Sequence, residues 1–365
     1  MRTPGIIAWC LIIPAGAVAG ADRQAAGRRP TVWMGPPSYG HGKCFRELFE
    51  KPDGWTKTRA AVDVLMYADH CLHKQFTDPQ LRAWFALLKQ WKLKLCLEVG
   101  AVKPWGLTAQ KTFAIQQPRW ERFKRLGADI YAIAMDEPLL CARKHIHKSD
   151  DYALQETAAF IALVRKHFPE AMLGDIETYP SIPLADHTRW IEALEKRLAA
   201  MHVRTLDFYR LDVNWAEFVV FDRGNWGEVK KLERLCRRRK LPFSLIYWAS
   251  DYPTLARKGL ADDSSWYVSV MRQGYDYAMV DGSPDHYVVQ SWLPAPSRST
   301  PETAPYSFTR SVLDFTRRFV RRPGAGRPAA RATTRPATRG GAADALLQEQ
   351  LKNNVSTEPV DLSGP

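Results

Sequence analysis

Eight short runs of β-forming residues recur along this chain, and a helical stretch follows each of them. No other feature limits the fold as strongly. The runs are TVWMG from Thr31, VDVLMYAD from Val62, KLCLEVG from Lys94, IYAIAMDE from Ile130, AMLGDIE from Ala171, TLDFYRLD from Thr205, PFSLIYWAS from Pro242 and HYVVQSWLP from His286. The helical stretches include DPQLRAWFALLKQWKL, DYALQETAAFIALVRKHF, HTRWIEALEKRLAAM, WGEVKKLERLCRRRK and YSFTRSVLDFTRRFV. Strict alternation of strand and helix demands parallel strands joined by right-handed crossovers. Eight such units in about 290 residues match the size of a (β/α)8 barrel. The expected fold class is therefore α/β, a single-domain TIM barrel over residues 31–320. A doubly wound open sheet is the competing architecture, and its nucleotide-binding form carries a glycine-rich phosphate turn after the first strand. Here that turn reads GPPSYGHGK, a long loop with two prolines.

The two ends of the chain differ from this pattern. The first residues, MRTPGIIAWCLIIPAGAVAGADRQ, have an early Arg, an apolar run broken by Pro14, and small residues at Ala17 to Ala19 or Ala19 to Ala21. That is the pattern of a secretory signal peptide over residues 1–21, so the expected location is secreted or periplasmic, with an uncleaved anchor as the alternative. The apolar run is short for a membrane span, so no stable membrane insertion is expected after cleavage. From Arg321 to Gly341 there are six Arg and no acid. Such a stretch lacks the apolar area to offset its ordering entropy, so residues 321–365 are expected to be a disordered tail.

The formal net charge of +13 raises the question of nucleic acid. Much of the charge falls in that tail and on helix faces such as RLCRRRK, and no nucleic-acid motif is present, so no nucleic-acid partner is expected. Five cysteines follow the first segment, an odd number with no CxxC spacing. Cys96 and Cys236 read as core, and Cys44 with Cys71 as a possible loop disulfide.

In a barrel of this type, functional groups stand at the C-terminal ends of the strands. Those ends carry Tyr67 and Asp69, Glu98, Asp136 and Glu137, Asp175 and Glu177, Asp212, Trp248, and Gln290 with Trp292. An acid that merely caps a helix sits just before it. Glu98, Asp175 and Glu177 instead precede the long loops VGAVKPWG and TYPSIP. A ring of carboxylates beside indoles suits glycoside hydrolysis, in which one carboxylic acid protonates the leaving oxygen and a second carboxylate attacks carbon or activates water. None of the nine His lies at a strand end beside two acids, so no metal site and no cofactor are read from the sequence.

At these residues the chain resembles the (β/α)8-barrel glycoside hydrolase superfamily. The DEP at the end of strand four is similar to the NEP of the large retaining clan, and Trp292 looks like the tryptophan that floors its sugar subsite. The resemblance implies that Glu137 is the acid/base. It also implies a nucleophilic Glu at the end of strand seven, where this chain has IYWASDYP instead, and Asp136 replaces the clan's Asn. The partner carboxylate is thus sought by strand spacing. Glu177 on the adjacent strand suits a retaining pair and Asp212, two strands away, an inverting pair. Asp136, Asp175, Glu98, Tyr67, Trp248, Gln290 and Trp292 are the candidate substrate-binding residues, with a carbohydrate as partner. Two other functions compete: an inactive barrel that binds glycans, and a carboxylate-metal enzyme of the sugar isomerase kind.

Overall fold

The computed structural model describes residues 29–320. The expectations for residues 1–21 and 321–365 lie outside the described residues. The strands are β1 (Thr31–Gly35), β2 (Val64–Ala68), β3 (Lys94–Val99), β4 (Ile130–Asp136), β5 (Met172–Tyr179), β6 (Phe208–Val213), β7 (Phe243–Tyr247) and β8 (His286–Gln290). Each pairs in parallel with the next, and β8 returns to β1 with Gly35 opposite Gln290, closing an eight-stranded barrel. All eight expected runs are strands, so the α/β barrel inferred from alternation is the observed fold.

The helices follow from apolar periodicity. The Asp78–Trp91 helix buries Leu81, Trp84, Phe85 and Leu88, one face at spacings of three and four, and starts from a Thr77–Gln80 capping box. Full burial of each such Leu or Phe is worth ~1.5–3 kcal/mol, which outweighs helix propensity in holding the outer ring to the barrel. Two long helices, Ala109–Arg125 and Asp263–Met279, lie outside the stretches singled out from the sequence. No helix among the described residues is long and apolar enough to cross a membrane.

Strand side chains alternate between helix layer and lumen. The lumen is filled by Trp33, Met66, Cys96, Phe208, Ile246 and Val288, with Ala132 and Ala134 as their small neighbours. Trp33 meets Phe208 edge-on at 5.5 Å and stacks on His286 at 5.0 Å. The lumen is therefore a packed core.

The disulfide expectation is corrected. All five described cysteines are free. The Cys44 thiol is buried and donates to the Pro296 carbonyl at 3.5 Å, whereas Cys71 lies against the His70 ring. Cys96 and Cys236 are fully buried, as core residues should be.

Candidate active site

Two-residue spacing carries the lumen face of each strand up to the mouth. Two positions beyond Cys96 comes Glu98, two beyond Ala134 comes Asp136, two beyond Ile246 comes Trp248, and two beyond Val288 comes Gln290. Asp212 stands four beyond Phe208 on β6, and Trp292 two past Gln290. Acids from three strands thus share one rim with two indoles.

The groups hold one another in place. Gln290 Nε2 donates to Glu98 Oε2 at 2.7 Å, bridging β8 and β3. A Cβ on Gly35 would stand 2.8 Å from Gln290 Cγ, so a side chain at the end of β1 would displace the Gln290 arm. Lys103, from the loop after β3, donates to Asp136 Oδ2 at 2.5 Å. The Trp248 and Trp292 rings lie 4.3 Å apart at 37°.

Glu137 reaches this group through its backbone. Alternation alone would send it outward with Met135. Instead it adopts φ 49°, ψ 51°, the left-handed region, as Pro138 begins the Pro138–Lys144 helix. That conformation costs a non-glycine residue ~1–3 kcal/mol and is met at functional sites. As a result Glu137 feels the charges of Asp136, Asp212, Lys103 and Glu98, all groups of the mouth.

Crowded and buried, these acids hold protons. Burial and then the charge of Asp136 raise Glu98 to about 7, against the opposing pull of Gln290, Arg210 and Lys103. Burial raises Asp212 to about 8, with the nearby Trp248 indole opposing and Asp136 and Glu98 adding. Burial, then Asp136 and Asp212, push Glu137 well above the usual carboxylate range. Burial presses Lys103 down, but Asp136 outweighs it and keeps the ammonium charged. Glu137 thus faces three negative neighbours, Asp136, Asp212 and Glu98, and burial and these charges together favour its protonated form.

Buried polar atoms at the mouth without a hydrogen-bond partner include Thr178 Oγ1, Asp212 Oδ1, Trp248 Nε1 and Gln290 Oε1. Buried polar atoms are normally satisfied. Here a ligand bearing several hydroxyls would satisfy them.

Three expected site residues lie elsewhere. Glu177 is on the outward face of β5, fully buried, and accepts from the Leu139 and Leu140 N–H groups at 2.5 and 3.2 Å. Its carboxylate thus closes the N-terminus of the helix that follows Glu137. Asp175, on the same outward face, accepts from Trp190 Nε1 at 2.7 Å. Tyr67 is packed on Phe45 in the helix layer and donates to Gln75. Asp69, also at a strand end, is buried and accepts from Trp120 Nε1 at 2.9 Å.

Two residues at the site went unread in the sequence. Lys103 lies in a loop whose course the sequence does not show. Arg210 sits on β6 two positions before Asp212, so its place on the same face was readable. Its guanidinium is buried in the lumen, donating to Ser244 Oγ at 2.8 Å and lying 4.5 Å over the Trp33 ring, with Nη2 unpartnered. Among the described residues, no three His, Cys, Asp or Glu side chains converge to hold a metal ion. A cavity of about 270 Å³ lies at the opposite end of the barrel, beside Lys94 and Asp129 near the start of β3 and β4.

Fold and site together define a (β/α)8 barrel with a proton-holding carboxylate cluster and an indole pair at its C-terminal mouth. No family model matches the chain, and no curated protein does. Solved structures do. A GH128 (subgroup II) endo-beta-1,3-glucanase from Pseudomonas viridiflava is similar at 13% identity, over 78% of this chain and 96% of that one, with a TM-score of 0.43. A GH10 endoxylanase retrieved from a sugarcane soil metagenome aligns at 9% identity, over 80% and 99%, with a TM-score of 0.45. The carboxyl transferase domain of Rhizobium etli pyruvate carboxylase aligns at 10% identity over 81% of this chain, with a TM-score of 0.42. The chain spans about half of that last structure, 49%. Likeness this distant, shared among unrelated chemistries, adds nothing to the barrel topology already described.

Proposed function

We propose that the protein is a glycoside hydrolase acting on a poly- or oligosaccharide, secreted or periplasmic. Glu137 is the general acid, Asp212 its carboxylate partner, and the Trp248–Trp292 pair the surface on which a sugar ring stacks. The observation that carries this reading is the convergence of Glu98, Asp136, Glu137 and Asp212 on one mouth beside an indole pair, where burial and the charges of Asp136 and Asp212 raise Glu137 well above the usual carboxylate range. An acid held protonated beside a second carboxyl group is what acid–base cleavage requires.

The chemistry follows from the positions. Glu137 transfers its proton to the glycosidic oxygen as the C1–O bond breaks. Asp212, once ionised as the pH approaches about 8, takes a proton from water, whose oxygen bonds to C1. Two strand spacings of ~4.8 Å separate the strands that carry the two acids, which suits the ~6.5–9.5 Å of an inverting pair with water between them. Asp136 is paired with Lys103, and its charge both raises Glu137 and favours the positive charge developing at C1. Glu98, tied to Gln290, and the unpartnered Gln290 Oε1 take sugar hydroxyls. Lys103 does not suit a role as an amine nucleophile. Such a group needs a depressed pKa, and Asp136 drives this one upward.

The test is incubation with a panel of glycans and detection of new reducing ends. Release from one class of polysaccharide, with initial products of inverted anomeric configuration by NMR, is the expected result. Binding without release from any glycan would favour an inactive glycan-binding barrel. Neither binding nor release would remove the carbohydrate reading.

A further inference from the structure

The loop after β3 brings a third indole, Trp105, to the end of β3. Trp105 is 45% exposed, a high value for so large an apolar ring. Its turn is nevertheless well held. Gln116 clamps Gly100 from both sides, accepting from its N–H at 3.0 Å and donating to its carbonyl at 2.7 Å. The Lys103 carbonyl accepts from the N–H groups of Gly106 and Leu107 at 3.0 and 2.9 Å. A Cβ on Gly100 would stand 2.8 Å from the Trp105 ring and 2.6 Å from Lys103 Cγ. The indole is thus seated over the end of β3, next to the lysine that binds Asp136. A fixed, exposed aromatic face loses little conformational freedom when a ligand covers it.

Position gives this face a meaning. In the barrel order, β3 and β7 are four strands apart out of eight, on opposite sides of the mouth. Trp105 stands on the β3 side, and the Trp248–Trp292 pair on the β7 and β8 side. Asp136, Glu137 and Asp212, from β4 and β6, lie between these flanks. A sugar chain that stacks on both flanks must cross the acids and continue on either side of the cleaved bond.

We propose that Trp105 is a second sugar platform, and that the mouth binds an interior stretch of a linear polysaccharide for endo cleavage. This rests on the carbohydrate reading above. The test measures binding of the full-length protein to tri- and hexasaccharides of the β-1,3-glucan, cellulose, xylan, mannan and chitin series by calorimetry. In the series that binds, wild-type affinity should rise from trisaccharide to hexasaccharide. Trp105→Ala should weaken hexasaccharide binding by about tenfold and flatten that rise, the scale of one lost aromatic contact. Trp105→Phe, which keeps a flat ring, should restore most of it. A hexasaccharide that Trp105→Ala binds as tightly as wild type does would overturn the second platform and leave the glycan reading standing. An equal loss at both lengths with a lowered melting temperature would show a structural role and overturn it as well. Failure of wild type to bind any series would defeat the glycan reading itself.

Discussion

Lys103 Nζ lies 2.5 Å from Asp136 Oδ2, joining the loop after β3 to the end of β4. The Asp136 side chain is 37% exposed, so solvent screening limits the pair's contribution to stability to about 1 kcal/mol. Its larger effect is electrostatic, because the Lys103 charge lowers the proton affinity of both Glu137 and Glu98. Lys103→Met should therefore move the alkaline limb of the pH–rate profile, which Glu137 sets as the acid, to higher pH with a small change in melting temperature. An unmoved profile would show that Lys103 does not act on the cluster.

Glu177 should behave as a structural residue. Glu177→Ala leaves two buried N–H groups at the start of the Pro138–Lys144 helix without an acceptor, at a cost of about 1–3 kcal/mol. Glu177→Gln keeps one acceptor oxygen and should lose less. Chemical denaturation checks both, and a catalytic collapse in Glu177→Gln at unchanged stability would contradict the assignment.

Stability should fall as pH rises from ~6.5 to ~8.5. Glu98 keeps its proton to about 7, and Asp175 and Asp212 to about 8, all mainly through burial. Unfolded carboxyls lose theirs near pH ~4, so the folded chain binds more protons between those values and loses stability as the pH climbs through them. Below pH ~6.5 the effect is opposed, because burial holds His187 to about 4 and His286 to about 3 and the unfolded chain then binds the protons. Asp175→Asn keeps an acceptor for Trp190 and removes one of the three acids, so its melting temperature should decline less over the alkaline interval. Calorimetry at the two ends of the interval decides, and a melting temperature that rises from pH ~6.5 to ~8.5 would contradict the account.

Arg210 is a buried cation with no anionic partner in direct contact among the described residues, resting on the Trp33 ring and beneath the acids. Its charge lowers the proton affinity of Glu98. Arg210→Met, close in length and apolar, should change stability by less than ~1.5 kcal/mol while raising the pKa of Glu98. Carboxyl-carbon NMR titration reads the second effect directly, and an unchanged Glu98 would break the link between them.

The barrel was legible because strands buried on both faces read as compact β-branched and aromatic runs, and all eight runs stood out between helical stretches. The Ala109–Arg125 helix was harder to see, since Pro118 falls inside it and a proline normally ends a helix. The strand-end acids were visible as a set, but the face each one takes was not. Both faces of β5 are buried, so composition does not reveal that Asp175 and Glu177 point to the helix layer. Glu137 escapes alternation through its left-handed backbone, a property no residue pattern of this stretch announces. The reach of Lys103 depends on a loop, and loops follow local turn geometry rather than periodicity.

The central claim is that Glu137 donates the proton to the leaving oxygen. Its most direct test compares Glu137→Gln with wild type on a natural glycan and on an aryl glycoside of the same sugar with a strongly acidic phenol. General acid catalysis is worth ~10²–10⁴-fold, so turnover of the natural glycan should fall by about that factor, while the activated substrate, which needs little protonation, should lose far less. Asp212→Asn, which removes the second carboxylate, should damage both substrates alike. Near-wild-type turnover of the natural glycan by Glu137→Gln would contradict the account and leave the Asp136–Glu137 doublet as no more than the start of a helix.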